Sequence, residues 1–131
     1  MEIGVTSGAT ATLLQEAAQA HPLECCGLLL GQGEIVDVVR PAANVHPDPA
    51  SHFEVDPATL IAAHRAARAG GPQVLGYYHS HPNGRARPSA TDATQASGDG
   101  RIWAIIAAGG VTWWRDAAHG FEALPTRVAP G

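Results

Sequence analysis

The chain of 131 residues contains no lysine, and its eight basic residues are all arginine. Together with twelve acidic residues they give a formal net charge of −4 at pH 7. Proteins that bind nucleic acid usually present a basic face. The charge therefore argues against nucleic acid as a partner.

Long hydrophobic runs and spaced cysteines are also missing. No apolar stretch approaches the ~20 residues that a membrane-spanning helix needs, so we expect no membrane partner. The N-terminus lacks a basic region followed by an apolar stretch, which is the pattern of a secretory signal. The two cysteines, Cys25 and Cys26, are adjacent rather than spaced as a disulfide framework. A reducing, cytoplasmic setting fits this pattern.

Charged residues make up only 15% of the chain, whereas hydrophobic residues make up 45%. This balance argues against disorder, since the chain has enough apolar surface to form a core. A chain of this length buries about two-thirds of its unfolded surface in one core. We therefore expect a single domain over residues 1–131.

The most informative motif is His-Ser-His-Pro at residues 79–82, followed by an aspartate at position 92. On a β-strand, residues two apart point to the same face, so His79 and His81 can reach one ion. Asp92 can supply a third ligand. Three protein ligands leave the fourth tetrahedral position for water, which is the arrangement of catalytic zinc. The motif therefore predicts a catalytic zinc site.

A different interpretation applies to residues 88–92, whose sequence is also typical of the start of a helix. Ser89 would be the N-cap and Asp92 the acid of a capping box. The two interpretations are compatible, because an aspartate has two oxygens: one can accept the backbone hydrogen bond of the cap while the other binds metal.

This motif and the segment 24–31, Glu-Cys-Cys-Gly-Leu-Leu-Leu-Gly, resemble the JAMM (MPN+) zinc metallopeptidases of the compact prokaryotic type. These enzymes cleave peptide or isopeptide bonds after the C-terminal glycine of ubiquitin-like proteins. By position, the resemblance implies that His79, His81 and Asp92 bind zinc. It also implies that Glu24 is the general acid/base and that Ser89 helps to hold the oxyanion.

The chemistry of these residue types is consistent with that assignment. Zinc lowers the pKa of its bound water from 15.7 to about 7, Glu24 would carry the proton to the departing amine, and Ser89 would donate a hydrogen bond. From the residues alone, two simpler interpretations stay open. Glu24 could be an exposed acid at the start of a strand, and Ser89 could be only a helix cap.

The remaining polar and aromatic residues have simpler explanations. His21 would end a helix, His64 would pack on one, and three further histidines would lie in loops: His46, His52 and His119. Cys25 and Cys26 would be small buried side chains at a strand start, and the alternative for Cys26 is a role as zinc ligand or nucleophile. The three tryptophans would lie in strands, with Trp113 and Trp114 on opposite faces.

Hydrophobic periodicity predicts strands at 2–5, 26–30, 35–39, 53–55, 74–81, 101–107, 111–115 and 121–124. Helices are predicted at 9–20, with Ser7 as the cap, at 56–69 and at 89–96, and a loop at 41–52. The 74–81 strand would place Leu75, Tyr77, His79 and His81 on one face. These elements predict an α/β (α+β) fold in which helices flank a mixed, largely antiparallel sheet. This agrees with the JAMM/MPN fold and its cytidine-deaminase-like architecture.

The resemblance implies a hydrolase that acts on a ubiquitin-like or sulfur-carrier protein, with zinc as its cofactor. The loops 41–52 and 97–100 leave little room for insertions that clasp ubiquitin, which favours a compact enzyme. Two alternatives stay open: a metal-free MPN domain that serves as a protein-binding scaffold, and a RadC-like relative linked to DNA repair. The sequence leaves the oligomeric state undetermined.

Overall fold

The structure, a computed structural model, describes residues 2–131. The strands are β1 (Ile3–Thr6), β2 (Cys26–Gln32), β3 (Ile35–Ala42), β4 (Gln73–Ser80), β5 (Ile102–Ala107), β6 (Gly110–Ala117), β7 (Gly120–Ala123) and β8 (Thr126–Ala129). The helices are α1 (Ser7–Ala20), α2 (Pro57–Arg68) and α3 (Ala90–Gln95). No helix within residues 2–131 combines the length and apolarity needed to cross a bilayer.

The eight strands within the described residues form one sheet in the order β7-β6-β5-β4-β2-β3-β1-β8. Strand β2 pairs antiparallel with β3 and β4, and β6 pairs antiparallel with β5 and β7. Strand β1 pairs parallel with β3 and β8, and β4 pairs parallel with β5. The prediction of a mixed sheet flanked by helices is therefore confirmed, although among residues 2–131 the antiparallel pairs outnumber the parallel ones only by four to three.

The two long helices cover opposite faces of the sheet, and the Leu-Leu-Leu run of β2 shows why both are needed. Leu29 packs in a cluster with Leu13 of α1, whereas Leu28 and Leu30 pack in a cluster with Ala63 of α2. Successive strand side chains point to opposite faces, so a continuous apolar run needs cover on both. Strand β2 thus lies at the centre of the core.

Strand β4 departs from simple alternation before it reaches the histidines. Its pairing with β2 places Leu29 opposite Gly76 but Leu30 opposite Val74, which leaves Leu75 as a bulge. Leu75 consequently packs on the α1 side, while Tyr77 packs with residues of the α2 side. The prediction that Leu75 shares a face with Tyr77 is wrong, because a bulge shifts the alternation by one residue.

The structure departs from the sequence prediction in one helix cap and in three strands, besides shifts of one or two residues at other ends. The N-cap of α1 is Thr6 instead of Ser7, since the Thr6 hydroxyl accepts from the Ala9 amide at 3.2 Å. Strand β3 extends to Ala42, into the predicted loop. The predicted strand 53–55 is reduced to a single bridge between Val55 and Asn44. Strand β8 was missed because its isolated sequence, Thr-Arg-Val-Ala, is short and mostly exposed; its pairing with β1 creates it.

Candidate metal centre and active site

The predicted ligands come together where β4 ends. His79 is the next-to-last residue of β4, and His81 directly follows the strand. Asp92 lies in the first turn of α3. Because β4 and β5 are parallel, the chain must cross back over the sheet, and α3 lies in that crossover. All three side chains are buried, with exposed fractions of 0%, 7% and 3%.

The three side chains converge on a common point. The Nε2 atoms of His79 and His81 are 3.0 Å apart. His79 Nε2 is 3.0 Å from one oxygen of Asp92, and His81 Nε2 is 3.0 Å from the other. Ligand atoms that lie ~2.0–2.2 Å from one ion in a tetrahedral site are separated by about 3.4 Å. His79, His81 and Asp92, here named the ligand triangle, have the spacing and donor types to hold one small divalent cation.

The hydrogen bonds of His81 fix which nitrogen is free to bind metal. Its Nδ1 lies 2.7 Å from the carbonyl oxygen of Arg85, which can only accept, so Nδ1 carries the proton. The lone pair of the neutral ring is then on Nε2, inside the triangle. A histidine ligand whose second nitrogen donates to a carbonyl is the usual arrangement at metal sites.

The electrostatics of the triangle also suit a cation. Burial is the largest influence on His79 and lowers its pKa, which keeps the ring neutral. For Asp92, burial opposes ionisation, but its contacts with the His79 and His81 rings and the hydrogen bond from the Ser89 amide hold its pKa well below its usual range. A neutral imidazole and a carboxylate are the forms that bind metal.

His79 is held by packing in place of a second hydrogen bond. Its Nδ1 is buried and has no hydrogen-bond partner among residues 2–131. The Phe53 ring stacks on the His79 ring, with centroids 4.2 Å apart and planes 17° apart. Trp103 meets the same ring edge-on at 5.6 Å. These contacts orient Nε2 toward the triangle.

Ser89 and Asp92 form the expected capping box. The Asp92 amide donates to the Ser89 hydroxyl oxygen at 3.0 Å, and the Ser89 amide donates to Asp92 Oδ2 at 2.9 Å. The position of Asp92 is compatible with both interpretations: it caps α3, and its carboxylate lies beside the His79 and His81 rings. The cap fixes the carboxylate that the triangle needs.

Glu24 is buried, with 7% of its surface exposed, so the interpretation as an exposed acid is wrong. Burial raises its pKa to about 7, an effect that His81 opposes and Asp92 supports. Glu24, His81 and Ser89 line one cleft of about 460 Å³. This cleft brings the candidate acid/base, one ligand and the candidate hydroxyl donor to the same space.

Of the other candidate residues, Cys26 lies nearest, opposite His79 in the pairing of β2 with β4, but its thiol faces the Ala43 carbonyl oxygen at 3.7 Å. Cys25 and Cys26 are buried, and burial raises the pKa of Cys26 to about 12, so it stays a thiol. Trp113 and Trp114 pack on opposite faces, as predicted. His119 is exposed and lies 3.5 Å from Glu122.

A second group of ligand types, His46, Asp48 and His52, lies on the loop before α2, with ligand atoms within 4.8 Å of one another. The His46 and His52 rings stack with planes 8° apart and centroids 4.6 Å apart. Nitrogen lone pairs lie in the ring planes, so nearly parallel stacked rings do not direct them to one point. This group therefore lacks the convergence of the main triangle.

The family described as prokaryotic homologs of the JAB domain matches residues 6–116 of the chain. This range includes every residue of the ligand triangle, as well as Glu24 and Ser89.

Two curated relatives carry informative names. A desampylase from Haloferax volcanii is 35% identical over 96 residues, which cover 72% of this chain and 69% of the relative. A probable TtuB-protein conjugate cleaving protease from Thermus thermophilus is 40% identical over 93 residues, which cover 71% of this chain and 60% of the relative. The matched part of the chain thus spans less than two thirds of the Thermus protein.

Solved structures show the same fold. A protein from Desulfitobacterium hafniense has a TM-score of 0.85 at 30% identity, covering 100% of this chain and 94% of that protein. A structure described as a JAMM metalloprotease-like zinc site in the proteasome and signalosome has a TM-score of 0.61 at 19% identity, covering 97% and 99% of the two chains. At that identity the second likeness concerns the fold alone.

Proposed function

Because the chain belongs to the family of prokaryotic homologs of the JAB domain, we propose that it is a zinc-dependent hydrolase of the JAMM type. Its substrate would be a conjugate of a ubiquitin-like or sulfur-carrier protein, cleaved at the peptide or isopeptide bond after the C-terminal glycine. The names of the Haloferax and Thermus relatives support this class of substrate. The observation that carries the proposal is the convergence of two imidazole nitrogens and one carboxylate, each pair 3.0 Å apart.

The ligand assignment follows from the donor set. His79, His81 and Asp92 would hold the zinc ion through two nitrogens and one oxygen, a combination that suits zinc in catalytic sites. When bound, zinc supplies Lewis-acid polarisation of the scissile carbonyl and makes water more acidic. The complete ligand set argues against the alternative of a metal-free MPN scaffold.

Glu24 would be the general acid/base. Glu24 lines the same cleft as His81, and its pKa of about 7 lets it both accept and release a proton near neutral pH. Glu24 would take a proton from the attacking water and give it to the amine nitrogen as the carbon–nitrogen bond breaks. The amine leaves carrying that proton, and the second proton of the water is released to solvent as the modifier's new C-terminal carboxyl group ionises to a carboxylate.

Ser89 would donate a hydrogen bond to the substrate oxygen that becomes negatively charged. Its hydroxyl oxygen already accepts from the Asp92 amide at 3.0 Å, which leaves the hydroxyl proton for a second partner. Ser89 lines the cleft, so that partner can be a bound substrate. A donor of this kind is typically worth about 10²–10³ in rate.

The test compares the wild type with Glu24→Gln, which keeps the shape of the side chain and removes its ability to carry a proton. Both proteins would be loaded with zinc and given a panel of ubiquitin-like proteins fused or conjugated through their C-terminal glycine. We expect both to bind one zinc ion and only the wild type to cleave. Glu34→Gln, at an exposed position in the β2–β3 turn, is the matched control and should cleave normally.

Two results would contradict the proposal. Absence of zinc-dependent cleavage by the wild type across the panel would remove the hydrolase function. A zinc content near zero in protein purified without chelator would favour the alternative of a metal-free MPN domain that serves as a protein-binding scaffold. The proposal also places the chain in the cytoplasm, which the adjacent, buried cysteines support.

A further inference from the structure

The segment 43–56, here named the Asn44 loop, lies between β3 and α2 and is closed by the bridge between Asn44 and Val55. Two backbone hydrogen bonds strengthen the closure: Val45 N–H donates to Glu54 at 3.0 Å and Asp56 N–H donates to Ala43 at 3.1 Å. The loop therefore has a defined shape although it contains no regular strand.

The Asn44 side chain uses all of its hydrogen-bonding capacity. Its Nδ2 donates to the carbonyl oxygens of Glu24 at 3.0 Å and His52 at 2.9 Å. Its Oδ1 accepts from the amides of His46 at 3.1 Å and Glu54 at 3.0 Å. An amide offers two donor hydrogens and two acceptor lone pairs, so no capacity is left over. The partners also fix its orientation, because a flipped amide would place oxygen against two carbonyls.

Glu24 depends on these contacts because it lies outside the sheet. The ladders of β2 with β3 and β4 begin at Cys26, two residues later. The Glu24 amide instead donates to Pro49 of the Asn44 loop at 2.8 Å, and its carbonyl accepts from Asn44. Both backbone groups of Glu24 are thus held by one loop.

We infer that Asn44 is a positioning residue for Glu24: through the Asn44 loop it fixes the backbone from which the acid/base carboxylate reaches the cleft. The catalytic consequence depends on the proposed function, whereas the structural one does not. General acid/base catalysis requires the carboxylate within hydrogen-bonding distance of the proton that it moves. A small displacement at such a group can reduce the rate about 10²-fold.

The test uses two variants of Asn44 that differ in what they keep. Asn44→Ala removes all four hydrogen bonds. Asn44→Asp keeps an oxygen for the His46 and Glu54 amides but turns a second oxygen toward the Glu24 and His52 carbonyl oxygens, which it repels. Val45→Ala, at the next position with 44% of the side chain exposed, is the loop control.

The first readout is hydrogen exchange of individual amides in the zinc-loaded protein. In Asn44→Asp we expect the Glu24 amide to exchange at least 10-fold faster, while the Glu54 amide and the Leu28 and Leu29 amides of β2 stay within twofold of wild type. Asn44→Ala should accelerate both Glu24 and Glu54. Unchanged exchange at Glu24 in both variants would overturn the inference, and so would equal acceleration throughout β2. If Asn44→Ala does not fold, Asn44→Asp decides.

The second readout is cleavage of a conjugate that the wild type accepts. Both Asn44 variants should lower kcat at least 10-fold with KM within twofold and zinc content unchanged, and Val45→Ala should match the wild type. A raised KM with normal kcat would contradict a role through Glu24. If the wild type cleaves nothing, the proposed function fails, while the exchange experiment still decides whether Asn44 holds Glu24.

Discussion

Phe53 stacks on His79 with ring centroids 4.2 Å apart, although Phe53 lies in the Asn44 loop and His79 in β4, 26 positions later in the chain. The stack takes the place of a hydrogen bond, since His79 Nδ1 has no partner among residues 2–131. One ligand of the candidate metal centre is therefore oriented mainly by an apolar contact.

Replacing Phe53 with leucine should weaken zinc binding. The substitution keeps a buried apolar side chain but removes the flat face that orients the His79 ring. Loss of a group that orients a ligand typically costs about 10–100-fold in metal affinity, and we expect the lower end because His79 stays enclosed by Trp103. Competition with a fluorescent chelator measures the affinity. Phe121→Leu, which removes a ring that contacts Trp103 at 5.0 Å, is the control and should bind zinc normally.

Zinc affinity should fall as the pH is lowered. Burial alone would lower the pKa of His81, but Asp92 and the Arg85 carbonyl outweigh it and raise the pKa above its ordinary value. Metal must displace this proton, so below the His81 pKa the apparent affinity should fall about tenfold per pH unit. Titrations between pH 5.5 and 8 measure the slope, and calorimetry in two buffers of different ionisation enthalpy counts the released protons. Equal affinity at pH 5.5 and 8 would exclude His81 as a ligand.

Glu24 should make the metal-free protein less stable as the pH rises from about 4.5 to about 7. Its pKa is raised from 4.5 to about 7 in the folded protein, chiefly by burial. Between these two pH values the folded state holds a proton that the unfolded state has lost. The stabilisation that comes from protonated Glu24 is therefore complete below pH 4.5 and is lost as the pH rises to about 7. The shift in pKa corresponds to a decrease in the free energy of unfolding on the order of 3 kcal/mol across this pH range.

Glu24→Gln should remove this dependence. In metal-free protein, the stability difference between the variant and the wild type should grow in favour of the variant between pH 4.5 and pH 8. Urea unfolding at each pH gives the two curves, and Glu34→Gln controls for the loss of an exposed acid. Parallel curves for Glu24→Gln and the wild type would contradict the burial of a charged carboxylate at this position.

Ser89 should affect rate and stability separately. Ser89→Ala removes the cap of α3 as well as the hydroxyl donor, so it should lower the free energy of unfolding by ~1 kcal/mol and kcat by about 10²–10³. Ser89→Thr keeps both the cap and the donor and should recover most of each. Ser89→Gly, which costs only a few tenths of a kcal/mol at an N-cap, should lose the rate but little stability. If Ser89→Gly keeps the kcat of the wild type, the Ser89 hydroxyl has no role in catalysis and serves only as the cap of α3.

Residues close together in the sequence carried most of the site prediction. The period of two predicted that His79 and His81 point to the same side, and they do, although β4 ends between them at Ser80. Ser89 and Asp92 form the capping box that their spacing predicts. Around this segment the boundaries of β4 and α3 fell within a residue or two of the prediction. Such patterns depend only on neighbouring residues, so they can be predicted without knowing how the rest of the chain packs.

The surroundings of the site could not be predicted in this way. The periodicity gave no signal for the bulge at Leu75, which arises only when β4 pairs with β2. The need for glycine at position 76, beside the bulge, is also visible only in the structure, because a side chain there would collide with the Ile102 carbonyl of β5. Pairing between strands determines such features, and a single strand does not encode its partner.

The amino-acid sequence by itself determined the donor types, their spacing on one strand and one helix start, and the charge balance of the chain. Only the tertiary structure decided that Glu24 is buried beside those donors, that Phe53 orients His79, and that Asn44 holds the Glu24 backbone across 20 residues of sequence. The physical reason is that burial and hydrogen bonding between distant segments depend on how strands and loops pack, whereas spacing and capping depend on neighbouring residues alone.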